Sequence, residues 1–426
     1  MDKESKINVI SLIIIVGFVL SVFYHYILGT YLNLNYPFNT FLFIPGDKFM
    51  DFFNVYNLSK DLNPYCQTFM YVNYFPFAYF VIYLFTLISA KISFLFMIIA
   101  FILFFVYFNY KNLKFQCPSF NKITLIKYVF IFSFMTYPFL LAIDRANFEL
   151  VLFIFLALFT YFYVKKDFSK SIIFLSFAIA MKLYPITLLV LFFSDKKYKE
   201  IFYTLLLTLF ISLISLVILK GSAFSNIICL LKWMTTVVMD YAIGNWGLGY
   251  SSSLYGILKL LIFKMHSVIT INTISGILPV IVFKLENSLD VNVLIKAYKI
   301  YSIVVIALFS LIAAYVAFVE KQLWKKIALL LLSAILFTPI SGDYKLLHLF
   351  IPLWLFWDSK DLSKFDMFYA VSFGLLLIPK DYLYIYILGE LYNINILLNP
   401  IIMTLMVFVI IWQGITNRNK QVLEVN

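Results

Sequence analysis

Apolar stretches long enough to cross a bilayer recur from residue 8 to residue 414, separated by short lysine-rich breaks. This pattern constrains the chain more than any motif. An apolar segment of about 20 residues in lipid must satisfy its backbone internally, so it is helical. Composition agrees: 63% of the 426 residues are hydrophobic and 13% are charged, where a soluble domain carries about 25% charged residues. That is too little polar surface to cover a water-soluble fold. A soluble enzyme, a secreted disulfide scaffold and a disordered chain are excluded. The sequence predicts an all-α polytopic membrane protein, a single integral domain over 1–426 with about 11–13 transmembrane helices.

The net charge of +12 does not imply nucleic acid, because no basic block is interleaved with polar loop sequence as such binding requires. Only Arg145 and Arg418 are arginines, and the remaining basic residues are lysines. With the excess of Phe, Ile, Tyr and Asn, this reads as the codon bias of an AT-rich, bacterial genome. Cys66, Cys117 and Cys229 are widely spaced and form no metal or redox motif; Cys66 and Cys229 share a compartment on this reading, but a disulfide between them is the less favoured alternative.

The first span is expected at residues 8–28, retained rather than cleaved as a signal peptide. A polar and aromatic stretch over 29–74, carrying Asp47, Asp51 and Asp61, reads as a first outer loop with membrane-parallel helices. Residues 75–91 are taken as a membrane-hugging helix, since this choice places Lys111, Lys114 and Lys122 on the side of the N-terminus. Further spans are expected at 92–109, 123–143 and 150–164, then as two short segments meeting at Lys182, then at 201–219. After a long loop come 301–319, 327–338, 345–357, 367–379 and 396–414. Within that loop, 250–284 either crosses as a hairpin or lies along the membrane. With the N-terminus inside, the loops 165–170, 194–200, 320–326 and 358–366 and the tail 417–426 are internal, and each carries at least two basic residues. Both termini are then cytoplasmic. The opposite face collects Asp47, Asp51, the turn 144–149, Lys182, 245–253 and 341–348. An ionisable group at the hydrocarbon boundary costs about 2.5–3.5 kcal/mol and is functional by default. Five distant parts of the chain sharing one face suggest one site.

Asp47 and Asp51 are four apart, so in a helix both carboxylates point the same way, and in apolar surroundings a carboxylate moves toward general-base range. The plainer alternative is an Asp47 helix cap and a solvated Asp51. Between the lysine clusters at 165–170 and 196–199, two helices of about 11 residues reach roughly 16 Å, half the hydrocarbon thickness. Pro185 breaks the helix there, leaving Lys182 at the tip of a hairpin, either snorkelling toward head groups or holding an anion. Arg145 and Glu149 have the spacing of a helical ion pair, as compatible with structure as with ligand binding. Lys345 and His348 share a helical face, which suits either phosphate contact or packing.

In this order, these stretches resemble the GT-C polytopic glycosyltransferases, and in particular glycosyltransferase family 87, the polyprenyl-phosphate-mannose-dependent mannosyltransferases. That family's first-loop Asp, Val-Tyr and Pro-Tyr fall on Asp51, Val55-Tyr56 and Pro64-Tyr65. Its Tyr-Pro-Pro element is reduced to Tyr74-Phe75-Pro76, and only Asn147 remains of its Gly-Gln-x-Asn turn. Lys-x-Tyr-Pro is intact as Lys182-Leu183-Tyr184-Pro185. The Asn…Ser-Leu-x-Gly element corresponds to Asn245…Ser253-Leu254-Tyr255-Gly256. Thr338-Pro339-Ile340-Ser341 with Asp343-Tyr344 stands for the late Ser-Pro-x-Ser…His-Tyr element. The His beside that Tyr is absent, and the sequence leaves open whether His348 replaces it. The resemblance covers about residues 8–357, with the C-terminal spans additional to it.

The resemblance implies transfer of a hexose, mannose-like, from a polyprenyl-phosphate-linked sugar donor to a glycan or glycolipid acceptor. The reaction would take place on the non-cytoplasmic face of a bacterial cytoplasmic membrane. A sugar alkoxide leaves poorly, so glycosidases need two carboxylates. A polyprenyl phosphate leaves as a stabilised anion, so one base plus cations should suffice. Asp51 is the expected base with Asp47 as alternative or support. Lys182, His348, Lys345 and Arg145 would hold the phosphate. Tyr56, Tyr65, Asn147, Tyr184, Asn245, Trp246 and Ser253 would line the pocket. No cofactor is required, although Asp47 with Asp51 could hold a divalent ion. A transporter or lipid flippase, and a glycan polymerase or ligase, are the rival readings.

Overall fold

The computed structural model describes residues 1–43, 45–66, 74–244, 247–262, 264–272, 279–286, 291–359, 364–387 and 390–425. Seventeen α-helices lie among them. Six are long and apolar enough to cross a bilayer: Lys3–Thr30, Ala90–Gln116, Tyr198–Ile218, Ala223–Ile243, Val291–Phe318 and Asn395–Thr416. The pair Lys122–Phe134 and Tyr137–Arg145, bent by 53°, makes a seventh if counted as one span. Only 17–39% of each long apolar window is buried within the protein. Leu103, Ile303 and Leu311 each leave more than 60% of their surface open. Apolar area of this extent is compatible with lipid and not with water. The chain is a multi-pass helical membrane protein.

The 11–13 expected transmembrane helices thus divide into six or seven of crossing length and a set of shorter apolar ones, among them Glu149–Val164, Phe168–Met181 and Asp366–Leu377. The short helices occupy the interior. Leu323–Phe337 buries 12 of its 15 residues, and Phe350–Asp358 is nearly as enclosed. A helix surrounded by protein need not match the bilayer, because neighbours rather than lipid meet its ends. Close approach helps: an added Cβ on Gly17 would lie 2.6 Å from Ile378, and one on Gly374 3.0 Å from Ile13, so small residues let the first helix and Asp366–Leu377 pack tightly.

Two segments depart from expectation. Residues 220–249, read as loop, contain the helix Ala223–Val237 and a wider turn, Val238–Ile243. This helix is tied repeatedly to the first loop. The Lys220 amide donates to Leu62 O at 2.8 Å, Trp233 Nε1 donates to Tyr65 O at 2.7 Å, and Tyr241 lies within electrostatic range of Asp47 and Arg145. Contacts with the first loop thus recur along its length. Cys66 and Cys229 join the two elements as a disulfide, Cα–Cα 5.5 Å, the alternative that the sequence disfavoured; Cys117 is free and buried. Sequence separation concealed a pairing that tertiary packing creates.

The described residues of 250–284 form one short helix and two strands. After Leu254–Ile262 come β1 (Lys264–Asn272) and β2 (Pro279–Glu286), joined by β3 (Tyr384–Ile387) and β4 (Glu390–Asn393) in the order β1-β2-β3-β4. The β1–β2 and β3–β4 pairs are antiparallel, and β2–β3 is parallel. This small sheet adds to the helical fold and draws residues 384–393 toward the polar end of the bundle.

The expected basic loops do gather at one end. The N-terminal amine and Lys6 reach Asp366 at 3.1 and 3.4 Å, and Lys3 reaches Asp358 at 2.7 Å. Tyr163 donates to Asp195, Lys326 to Ser194 and Lys325 to Gln413. Glu149–Val164 and Leu323–Phe337 run between this end and the other, where the remaining charges meet.

Candidate functional site

The site grows from a break between two helices. Tyr137–Arg145 ends where Ala146 turns left-handed, φ 48°, and Glu149–Val164 starts three residues later. The break destroys the i, i+4 geometry on which an Arg145–Glu149 pair depends, and the two side chains take different partners. Asn147 Oδ1 accepts from the Glu149 amide at 2.9 Å, which fixes the side chain so that its Nδ2 donates to Asp51 Oδ2 at 2.7 Å. The Phe49 amide donates to Asp144 O at 2.8 Å, docking the 47–51 turn against this break.

Asp51 is in the first turn of Met50–Lys60, whereas Asp47 precedes that helix and does not cap it. Both carboxylates nevertheless meet Arg145. Its Nη2 and Nε donate to Asp51 Oδ1 and Oδ2 at 2.9 and 3.4 Å, and its Nη1 donates to Asp47. The surroundings of Asp51 are therefore polar, not the apolar setting expected. Its side chain is 20% open, and each carboxylate oxygen retains acceptor capacity beyond these bonds. Arg145 is committed to the two aspartates instead of standing free as a phosphate ligand.

A second cluster centres on Glu149, which sequence reasoning did not single out as a hub. It is fully buried. Lys182 Nζ donates to Oε1 at 2.7 Å. Tyr184 OH and His348 Nε2 both donate to Oε2, at 2.6 and 2.7 Å, and stand 2.7 Å apart. Lys182 occupies the expected break, between Phe168–Met181 and the 3-10 turn Tyr184–Leu188 with Pro185 in its first turn. It is drawn inward to Glu149, not outward to head groups, and lies 4.8 Å over the Tyr74 ring. Lys345 is different. It is buried, its Nζ lies 5.3 Å over the Tyr184 ring, and among the described residues its one hydrogen bond is to Ile340 O at 3.1 Å. Among the described residues no carboxylate pairs with it, although Glu149 is within electrostatic range, and two of its three N–H donors have no partner there. Lys182 lies within electrostatic range of both Asp51 and Tyr344, making the two clusters continuous.

A third group completes this end. The parallel bridge Ser251–Ser341 brings Ser252 to Asp343, which also accepts from Asn395 at 3.1 Å and Asn399 at 2.9 Å. Ser253 donates to Pro339 O at 3.0 Å. Gly342 carries no Cβ because the Tyr344 ring lies 2.6 Å from where one would be. A cavity of about 580 Å³ opens between this group and the first loop, with Asp144, Arg145, Tyr344 and Asp381 on its wall.

Of the expected site residues, Asp47, Asp51, Arg145, Asn147, Lys182, Tyr184, Lys345 and His348 converge, and Ser253 lies on the adjoining segment. Tyr56 does not join them, since its hydroxyl donates to Ile88 O at 2.8 Å. Tyr65 packs on Tyr79 and donates to Tyr74 O, supporting the site without reaching it. Asn245 and Trp246 lie outside the described residues. Asp381, Asn395 and Asn399 were missed because they follow residue 357, where the family resemblance stops. Their one sequence signal is polar residues beside otherwise apolar spans. No protein-family model matches the chain, and comparisons with curated proteins and solved structures likewise find no match.

Proposed function

We propose that this protein is a glycosyltransferase that moves a hexose from a polyprenyl-phosphate donor to a glycan or glycolipid acceptor, with inversion at the anomeric carbon. One observation carries the reading: a partly open carboxylate, Asp51, stands in one continuous polar cluster with Lys182 and with Lys345, a buried amine that makes no ion pair among the described residues. A buried cation without a counter-ion is costly, and a phosphate is the anion that this chemistry supplies. In the proposed step Asp51 takes the acceptor hydroxyl proton. The acceptor oxygen bonds to the anomeric carbon, and the bond from that carbon to the phosphate oxygen breaks. Its electron pair leaves with the polyprenyl phosphate, whose added charge Lys345 and Lys182 stabilise. Mannose and membership of glycosyltransferase family 87 belong to this proposal and rest on the motif resemblance. The disulfide supports an oxidising side for the first loop.

The test is incubation of purified protein with polyprenyl-phosphate sugars and acceptors, measuring polyprenyl phosphate released. Asp51→Asn should abolish release while donor binding persists, and Lys345→Met should weaken donor binding first. Substantial turnover by Asp51→Asn removes it from the base role. Protein-dependent lipid flux with no release for any donor would favour the transporter.

A further inference from the structure

The cavity of about 580 Å³ lies beside the Asp51 cluster but is built largely by other parts of the chain, above all residues 381–396. Its size is that of a small-ligand site. Two features of its wall point to a ligand rich in hydroxyl groups. The first is unmet acceptors. Asp381 is 7% exposed and its Oδ2 has no hydrogen-bond partner among the described residues. Asn395, 3% exposed, spends its Nδ2 on Asp343, and its Oδ1 is unpartnered among the described residues. Buried acceptors of this kind are costly unless a donor arrives. The second is aromatic surface. Tyr137, Tyr344, Tyr384 and Tyr386 line the same space, and Tyr384 is pinned by its hydroxyl to Pro37 O and Asp381 O at 3.1 Å. Flat rings presenting apolar faces, flanked by oxygen acceptors, suit a saccharide ring, whose C–H faces stack while its hydroxyls donate.

Charge narrows the class. Asp144, Asp343 and Glu390 also line the cavity, against the single guanidinium of Arg145, which is already shared by Asp47 and Asp51. An anionic ligand would add like charge to this wall. Burial pushes the Asp381 carboxyl up to about 8, so near neutrality it can donate to a ring hydroxyl as well as accept.

We propose that this cavity binds a neutral saccharide, and that it is the acceptor's subsite in the transfer reaction. The second half of that statement rests on the proposed function, whereas the first does not. Arg145 borders the cavity and bonds Asp51, so a hydroxyl at the cavity's edge is carried toward the base. The C-terminal strands then choose the acceptor, while the first loop and the Lys182 turn handle the donor.

The experiment is calorimetric titration of the purified wild-type protein, without donor, with mannotriose and maltotriose as neutral probes and trigalacturonate as the anionic one. A synthetic mannoside on a short alkyl chain distinguishes a lipid-borne acceptor from a free glycan. At least one neutral probe should bind at millimolar concentration or below, and trigalacturonate should bind at least tenfold more weakly. Asp381→Leu and Tyr386→Ala should each weaken neutral binding about tenfold, one lost polar contact or stacked ring, while eluting as folded protein. Absence of neutral binding, equal binding of trigalacturonate, or indifference to both cavity variants overturns the assignment. Loss of transfer chemistry with saccharide binding intact would overturn only the reading of the reaction.

Discussion

Glu149→Gln tests whether the polar end of the bundle is held by one buried carboxylate. In the wild type, Lys182 Nζ stands 2.7 Å from a carboxylate with no exposure. At an effective dielectric constant of about 20, a charge pair at that distance attracts by about 6 kcal/mol, partly offset by the desolvation of both ions. The glutamine keeps the volume and one acceptor but removes the charge, so Lys182 becomes a cation without a partner. Breaking a buried pair in this way costs about 3–5 kcal/mol. Tyr184 and His348 lose the oxygen that they share, which should move the turn 184–188 as well. Lys182→Met in the Glu149→Gln background removes the orphaned charge and should recover at least half of the loss. The assay is reversible unfolding in mixed micelles, titrated with sodium dodecyl sulfate and followed by circular dichroism, on wild type, both single variants and the double variant. A Glu149→Gln cost below about 1 kcal/mol, the scale of a surface pair, would refute the reasoning. Strictly additive single effects would refute it too, since they would deny coupling between the two groups.

The remaining predictions concern the disulfide and the C-terminal turn. Maleimide labelling of unfolded, unreduced protein should modify only Cys117, and all three cysteines after reduction; three labels before reduction would remove the Cys66–Cys229 bridge. Replacing both bridged residues with serine should lower stability by about 2–5 kcal/mol, because a long chain segment regains freedom when unfolded. Asp381 holds its proton up to about pH 8 in the folded chain, against an ordinary value of 3.8. Between these limits the folded state binds more protons than the unfolded one, so its contribution to stability falls as pH rises. Burial lowers the neighbouring Lys380 to about 8, which reverses the slope at higher pH. The unfolding midpoint should therefore decline from about pH 5 to pH 8, and Asp381→Asn should flatten that decline; an unchanged slope would show that Asp381 does not titrate as placed.

Much of the site was legible because membrane burial makes polar residues conspicuous. Asp51, Lys182 and His348 stood out as charges or ionisable groups interrupting apolar sequence, and they do converge. Reading spacing as helix failed at Arg145 and Glu149, because a single left-handed residue, Ala146, lies between them and separates their partners. Glu149 itself looked like half of a local pair, and only the meeting of three helical segments makes it a hub. Residues 381–399 escaped attention for another reason: a strand pairing between β2 and β3, a hundred residues apart in the chain, brings them to the site, and local pattern carries no trace of such a contact.

The sequence by itself determined the solvent, the helical class and the segregation of lysine-rich loops from a few costly charges. Each of these follows from the price of polar groups in hydrocarbon, which acts residue by residue. The tertiary structure decided which spans have full crossing length, which cysteines join and which carboxylate answers which cation. Those outcomes depend on distances between segments remote in the chain, and close packing of interior helices fixes them.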